Sequence, residues 1–290
     1  MKKVLLTGGT GLLGKEVIPF LIQEGFEIYS ISRKPSINCD GVINIQSDIF
    51  NFNEINEIIS NIKPQYLLHY AWLSTGLFED NSNFDFLLAS INLLKSFSRN
   101  GGVRVVMAGT YAEYGHYSGI LDERMTAAPI NVYSKCKNMT YQIAELYCKN
   151  NNISFGWMRI FSAFGRENDP RRLTGYVIER LNLNEKIIIK NGQLIRDYIY
   201  SKDVAAGSVA FLDSNIEGIV NFCSGHGITI RDFVIEIARF YNKEHLVEFE
   251  HNNSNNQQQK VIGNNSRLIN EVKYKLKYSL HEAIKDMLLP

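Results

Sequence analysis

Tyr133 and Lys137, within Tyr133-Ser134-Lys135-Cys136-Lys137, are the residues of this chain whose types and spacing most directly suggest chemistry. In a helix, residues four apart share one face, one turn from each other. A free phenol titrates near pH ~10. An ammonium held beside it favours the phenolate, so the pair can act as a general acid or base closer to neutrality. The same spacing occurs in many helices as an exposed pair. A catalytic reading therefore needs a bound cofactor, a second hydroxyl and a substrate pocket elsewhere in the chain.

The elements that must position the pair begin at the N-terminus. Val4-Leu5-Leu6 is an apolar run fit for a buried parallel strand, and it enters Thr7-Gly8-Gly9-Thr10-Gly11-Leu12-Leu13-Gly14. Leu13, Val17 and Leu21 then recur at helical spacing. Strand, glycine turn and helix are the context of a dinucleotide fingerprint, with Gly8, Gly11 and Gly14 at three-residue intervals. Such glycines let backbone approach a pyrophosphate, and the helix N-terminus supplies free N–H groups. Residues 27–32 read as a second strand. Where a ribose-gripping acid belongs, the chain has Ser32-Arg33-Lys34. A guanidinium can hold a 2′-phosphate that a carboxylate would repel, so NADP(H) is favoured and NAD(H) stays open.

Residues 41–46 read as a third strand, followed by Asp48-Ile49, and residues 55–62 as a helix stopped at Pro64. Tyr66 to Ala71 is the next strand, in which His69 reads as a core histidine. Phe84, Leu87, Leu88, Ile91 and Leu94 trace the apolar face of a further helix. Residues 103–108 form another strand, which runs into Gly109-Thr110-Tyr111-Ala112-Glu113-Tyr114-Gly115. Alternation this regular predicts an α/β fold with a doubly wound parallel sheet. Ligands in such sheets bind beyond the carboxyl ends of the strands, which places the Thr110 hydroxyl near a substrate oxygen. Asn131 precedes the helix of Tyr133 and Lys137, which continues to about Cys148.

The 290 residues carry a net charge of +1, with acids and bases mixed, which leaves no electrostatic footprint for nucleic acid. No apolar run approaches the ~20 residues that span a bilayer, and no signal peptide is evident. Cys39, Cys136, Cys148 and Cys223 show neither metal spacing nor a disulfide framework, so the expectation is a cytoplasmic protein with reduced cysteines and no metal.

Taken together, these stretches resemble an extended short-chain dehydrogenase/reductase of the nucleotide-sugar-modifying branch. The likeness rests on TGGTGLLG at 7–14, HYAW at 69–72, GTYAEYG at 109–115, YSKCK at 133–137, MRIFSAFG at 158–165, RDYIYSKDVA at 196–205 and VNFCSG at 220–225. The resemblance implies that Gly8, Gly11 and Gly14, with Leu12 and Leu13, cradle the pyrophosphate. Asp48 and Ile49 would meet the adenine, and Tyr70, Ala71 and Trp72 would lie along the nicotinamide half. Tyr133 would exchange the proton, Lys137 would hold the nicotinamide ribose and depress the phenol's pKa, and Thr110 would bond the same substrate oxygen. Arg196, with Arg171 or Arg172, would hold the diphosphate of a nucleotide sugar. Homodimerisation through the helix bearing Tyr133 and its neighbour is a further implication.

The departures narrow the reaction. Tyr111-Ala112 stands where dehydratases of this branch carry an Asp-Glu pair. No cysteine follows Thr110, as one would in 3,5-epimerase-reductases. Ser162, in the stretch that approaches the substrate diphosphate, and Phe86 replace asparagines usual in the branch, and the resemblance makes Tyr111 and Ser162 substrate-binding candidates beside Thr110. The pattern looks most like reductases of 4-keto-6-deoxy sugars, with an NAD-dependent 4-epimerase as the alternative and a catalytically silent cofactor sensor as a third reading. Residues 1–165 are expected to form mainly the cofactor domain. Residues 166–290 are expected to form mainly the sugar-nucleotide region, with segments returning to the first. In that second half residues 167–172 read as a charged loop, 173–183 as a helix, 186–190 and 196–200 as short strands, 251–259 as an exposed loop or hinge and 268–289 as a last helical stretch.

Overall fold

The computed structural model describes residues 2–34, 40–72, 77–166, 169–250 and 259–289. Cys39, residues 167–168 of the charged loop and residues 251–258 of the Asn/Gln-rich segment lie outside them. The first half contains β1 (Lys2–Thr7), α1 (Leu12–Gln23), β2 (Phe26–Ser32), β3 (Val42–Gln46), α2 (Phe52–Ile62), β4 (Tyr66–His69), α3 (Ser82–Arg99), β5 (Arg104–Thr110), β6 (Gly119–Leu121) and α4 (Val132–Asn150). The second half contains β7 (Ser154–Ile160), β8 (Ser162–Phe164), α5 (Leu173–Leu183), β9 (Ile187–Ile189), β10 (Ile195–Tyr200), α6 (Ser201–Asp213), β11 (Gly218–Phe222), β12 (Gly227–Thr229), α7 (Ile230–Phe240), β13 (Val247–Phe249), β14 (Lys260–Gly263), α8 (Ser266–Asn270) and α9 (Leu280–Leu288).

Seven strands make one parallel sheet in the order β11-β7-β5-β4-β1-β2-β3. Side chains alternate between its faces along each strand. Val4, Leu6 and Val106 meet Val17 and Leu21 of α1 and Val204 and Val209 of α6 on one side. Leu5, Leu67 and Val105 meet Ile55 and Ile59 of α2, Leu93 and Phe97 of α3 and Ala144 of α4 on the other. Both faces are covered, which is why the strands read as continuous apolar runs. The strand order reverses direction between β1 and β4, so a crevice opens between their carboxyl ends. At the opposite end of β5, Arg104 donates to the Phe211, Leu212 and Ile216 carbonyls at 2.6 to 2.8 Å and so caps the last turn of α6.

A second sheet, β12-β10-β14-β6 with β8 also on β10, lies beyond this crevice. It recruits β6 from the first half, while α6 and β11 from the second half complete the first sheet. Phe164, Val177, Leu181, Phe233, Ile237 and Ile284 form the core of this region.

Three expectations are corrected. Strand β4 ends at His69, so Tyr70 and Ala71 belong to the loop beyond it. The buried face of α3 is Phe86, Ala89, Ser90, Leu93, Leu94 and Phe97, whereas Phe84 is 49% and Leu88 57% exposed. Ala89 and Ser90 are small enough for the helix to approach the sheet closely, and Ser90 Oγ reaches His69 Nε2 at 2.8 Å. The C-terminal helical stretch is two helices. Between them the buried Asp203 carboxylate accepts from Tyr274 Oη (2.7 Å) and the Lys277 (2.8 Å) and Tyr278 (3.4 Å) N–H groups, which holds that segment out of a helix.

Candidate active site

The glycine turn sits at the end of β1. Gly8 has φ +76°, and a Cβ there would stand 2.7 Å from the Ala71 nitrogen. A Cβ on Gly14 would come within 2.1 Å of the Gly8 carbonyl oxygen. No side chain caps the start of α1, and its first turn carries no acid. Backbone N–H groups and the positive helix end therefore face the crevice, an arrangement that fits a pyrophosphate.

Thr110 ends β5 and begins a short 3-10 turn, Tyr111–Tyr114. Asn131 caps α4 by accepting the Ser134 N–H at 2.8 Å, and the Tyr133 N–H donates to Phe78 O at 2.8 Å. These bonds fix where α4 starts and so the direction of Tyr133. The Thr110 side chain acts on its phenol and draws the phenol's pKa down.

A cavity of about 570 Å³ is lined by Gly8, Gly11, Leu12, Leu13, Gly14, Tyr70, Trp72, Thr110, Tyr111, Tyr133, Lys137, Ser162, Arg172 and Arg196, among others. The structure thus brings together all the catalytic and substrate candidates and most of the cofactor candidates. Ser32, Arg33, Asp48, Ile49 and Ala71 do not line it. The first four stand at or just beyond the ends of β2 and β3. Ser32 Oγ donates to Lys34 O, Arg33 is exposed, and Asp48 accepts the Phe50 N–H. Ala71 touches the glycine turn through its backbone.

Lys137 is held in the site by groups other than Tyr133. Its ammonium donates to Ala108 O at 2.7 Å and lies 3.8 Å from the centre of the Trp72 ring. Desolvation pushes Tyr133 up to about 12, against the pull of Thr110 and Arg172. Burial brings Lys137, 4% exposed, down to about 7, with Glu113 pulling it back up. His69 lies between Thr7 Oγ1 (2.6 Å) and Ser90 Oγ (2.8 Å), and burial holds it down to about 3. It is a neutral core residue at ordinary pH.

Other candidates are only partly turned to the cavity. Tyr70 hydrogen-bonds Ser208 of α6 through its hydroxyl. Phe86 packs on Trp72 with ring centres 5.6 Å apart, which gives the aromatic in place of asparagine a packing role. Arg196 forms no ion pair with Asp197. It donates to Ile195 O and to Gln259, while Asp197 accepts from the Ser224, Gly225 and Gly263 backbones and the Ser224 hydroxyl. Arg171 pairs with Asp169 at 2.7 Å.

Sequence reasoning missed Glu113 and Arg159, a fully buried ion pair at 3.0 Å directly behind Thr110. The signal was present in two charged residues within otherwise apolar surroundings. Phe161 was also missed. It stacks on Tyr111 with centroids 5.4 Å apart and lines the cavity.

Comparison with known proteins gives a consistent picture. Over 244 residues the chain is 22% identical to the dTDP-6-deoxy-L-talose 4-dehydrogenase (NAD(+)) of Aggregatibacter actinomycetemcomitans, covering 82% of this chain and 90% of that protein. The UDP-glucose 4-epimerase of Thermotoga maritima, solved with UDP-glucose, superposes with a TM-score of 0.85 at 22% identity, covering 98% of this chain and 97% of that one. That of Thermus thermophilus, in complex with NAD, gives a TM-score of 0.86 at 21% identity and covers 98% of each chain. The family model described as NAD dependent epimerase/dehydratase matches residues 4–223, which span β1, the glycine turn, Thr110, Tyr133 and Lys137. With the parallel sheet and the crevice at its strand reversal, this places the chain in the NAD dependent epimerase/dehydratase family.

Proposed function

We propose that this protein reduces a nucleotide-linked 4-keto-6-deoxyhexose at C4, with NADPH as the reductant. The observation that carries the reading is the character of the cavity wall. Among the described residues lining it are Lys137, Arg171, Arg172 and Arg196 but no Asp or Glu. Water elimination at a sugar needs an acid and base that this wall does not supply. Reduction needs only a proton donor at the developing alkoxide. Tyr133, held up to about 12, keeps its proton until that charge forms. Thr110 offers a second donor to the same oxygen.

The glycine turn, the first turn of α1 and Lys137 would hold the cofactor, which when bound supplies the hydride. Ser32-Arg33-Lys34 supports NADPH over NADH, because a guanidinium suits a 2′-phosphate. Arg172 and Arg196 suit the substrate diphosphate. Phe78, Tyr111 and Phe161 give the sugar side an apolar surface, which suits a C6 methyl better than a hydroxymethyl. Exposed Phe84 and Leu88 on α3, with Ile143 and Leu146 on α4, support a homodimer through these helices.

The names of its relatives favour a second reading, a nucleotide-sugar 4-epimerase that carries NAD. Incubation with NADPH and a panel of 4-keto-6-deoxy sugars on several nucleotides separates the two. Stoichiometric NADPH loss with a 4-hydroxy product is expected, and Tyr133→Phe should lower turnover by ~10²–10⁴ while retaining cofactor binding. Interconversion of 4-hydroxy epimers without net NADPH loss, or full activity in Tyr133→Phe, would overturn the reductase mechanism.

A further inference from the structure

The segment that presents the active-site groups has a carboxylate built in behind it. Glu113 is 0% and Arg159 2% exposed. Glu113 Oε1 accepts the Thr110 N–H at 2.8 Å, and Oε2 accepts Arg159 Nε–H at 3.0 Å. The Trp157 indole N–H lies 3.0 and 3.2 Å from the two oxygens. Arg159 is backed on its other side by the Tyr114 ring, 4.4 Å away.

Gly109 is matched to this arrangement. A Cβ there would meet Trp157 Nε1 at 2.2 Å and Glu113 Oε1 at 2.7 Å. Three consecutive residues thus meet the buried network or the catalytic lysine. Ala108 O accepts from Lys137, Gly109 leaves room for the carboxylate, and the Thr110 N–H is bonded by it. A capping box on a 3-10 turn does not require burial, and burying an ion pair carries a large desolvation penalty. A site that accepts that cost, omits a side chain at 109 and spends an indole N–H on the same carboxylate is organised around the charge.

We propose that Glu113 is a positioning residue of this active site, its carboxylate fixing the Thr110 backbone and serving as the buried counter-charge for Lys137. The catalytic part of this inference rests on the hydride-transfer reading above. The groups that act on Lys137 are His69 of β4, neutral here, the Trp72 ring, the Ala108 carbonyl and Glu113. Those that act on Tyr133 are Thr110, Tyr111, Glu113 and Arg172. Glu113 raises both values, so its removal lowers both. A reductase that needs Tyr133 protonated and Lys137 charged then loses activity at a lower pH.

The test uses the full-length protein labelled with ¹³Cε-lysine, with Lys137→Met assigning the resonance, alongside pH–rate profiles. Glu113→Gln is expected to move the Lys137 titration down by about one pH unit. The alkaline limb of kcat should follow, with kcat reduced at least ~10-fold and KM little changed. Gly109→Ala should reduce kcat similarly with the carboxylate still present, and Glu113→Asp should restore part of the loss. If Glu113→Gln fails to fold, Glu113→Gln with Arg159→Met removes the buried pair together and leaves no unpaired guanidinium behind β5. A folded variant of either kind whose Lys137 titrates as in wild type overturns the proposal. The NMR titration requires no turnover. Absence of reductase activity in the wild type would therefore count against the proposed function, while the Lys137 shift would still decide the counter-charge role.

Discussion

Replacing Lys137 with methionine should abolish activity and at the same time change how stability depends on pH. The ammonium is buried, and its folded-state value falls from 10.5 to about 7. Between those values the unfolded chain binds more protons than the folded one, so wild-type stability rises with pH through that window. Below it both states are charged, and the full cost of burying the ammonium is felt. Going from about pH 6 to about pH 9, the folded lysine loses its proton and the unfolded one keeps it, which is worth about 2.7 kcal/mol at ~1.36 kcal/mol per unit. The methionine variant has no such group. Its stability relative to wild type should therefore be greatest near pH 6 and fall by about 2–3 kcal/mol by pH 9. Loss of the Ala108 hydrogen bond and of the Trp72 contact offsets the variant at every pH but sets no comparable slope. Urea unfolding of both cofactor-free proteins across this range, with equal m values, measures the difference. A difference that stays flat would mean Lys137 keeps an ordinary lysine pKa, and the electrostatic account of the site would be wrong.

Gly14→Ala places a Cβ against the Gly8 carbonyl, a backbone atom that cannot swing away, so a stability loss of about 1–3 kcal/mol and much weaker cofactor binding are expected. Thermal melting and a cofactor titration measure these, and unchanged values would mean the turn is not as tight as described. Arg33→Ala should raise KM for NADPH by about 10- to 100-fold, the worth of charge-assisted bonds, and leave KM for NADH unchanged. Equal effects on both cofactors would remove the 2′-phosphate role. Leu88→Glu with Leu146→Glu, at positions 57% and 62% exposed, should convert a dimer to a monomer in light scattering. A wild type that is already monomeric would exclude the dimer.

Local signals made most of the fold legible. The run Val4-Leu5-Leu6 and the glycines after it announced a strand, a turn and a helix, because both burial on two faces and close backbone approach restrict residue type at single positions. Thr110, Tyr133 and Lys137 line one cavity, as the sheet's topology predicts for residues at and beyond strand carboxyl ends. The face of α3 was less legible. Phe84-Leu88-Ile91 and Phe86-Leu93-Phe97 both fit a helical period, and only the sheet's need for small residues at 89 and 90 selects the second.

Glu113 shows a limit of a different kind. Its neighbours Gly109, Trp157 and Arg159 are spread over 51 positions of sequence and join only when β5 and β7 pair, with Gly109 directly opposite Arg159 in the register. No window along the chain contains that cluster. Read locally, Gly109 is a loop glycine, Trp157 a core residue and Arg159 a strand charge. All three meet at one carboxylate. Burial sets the direction of the Tyr133 and Lys137 shifts, and Glu113 acts on both groups from behind the strand end. Spacing in the helix puts Tyr133 and Lys137 on the wall of one cavity. The buried charge behind β5 then helps determine which protons they hold.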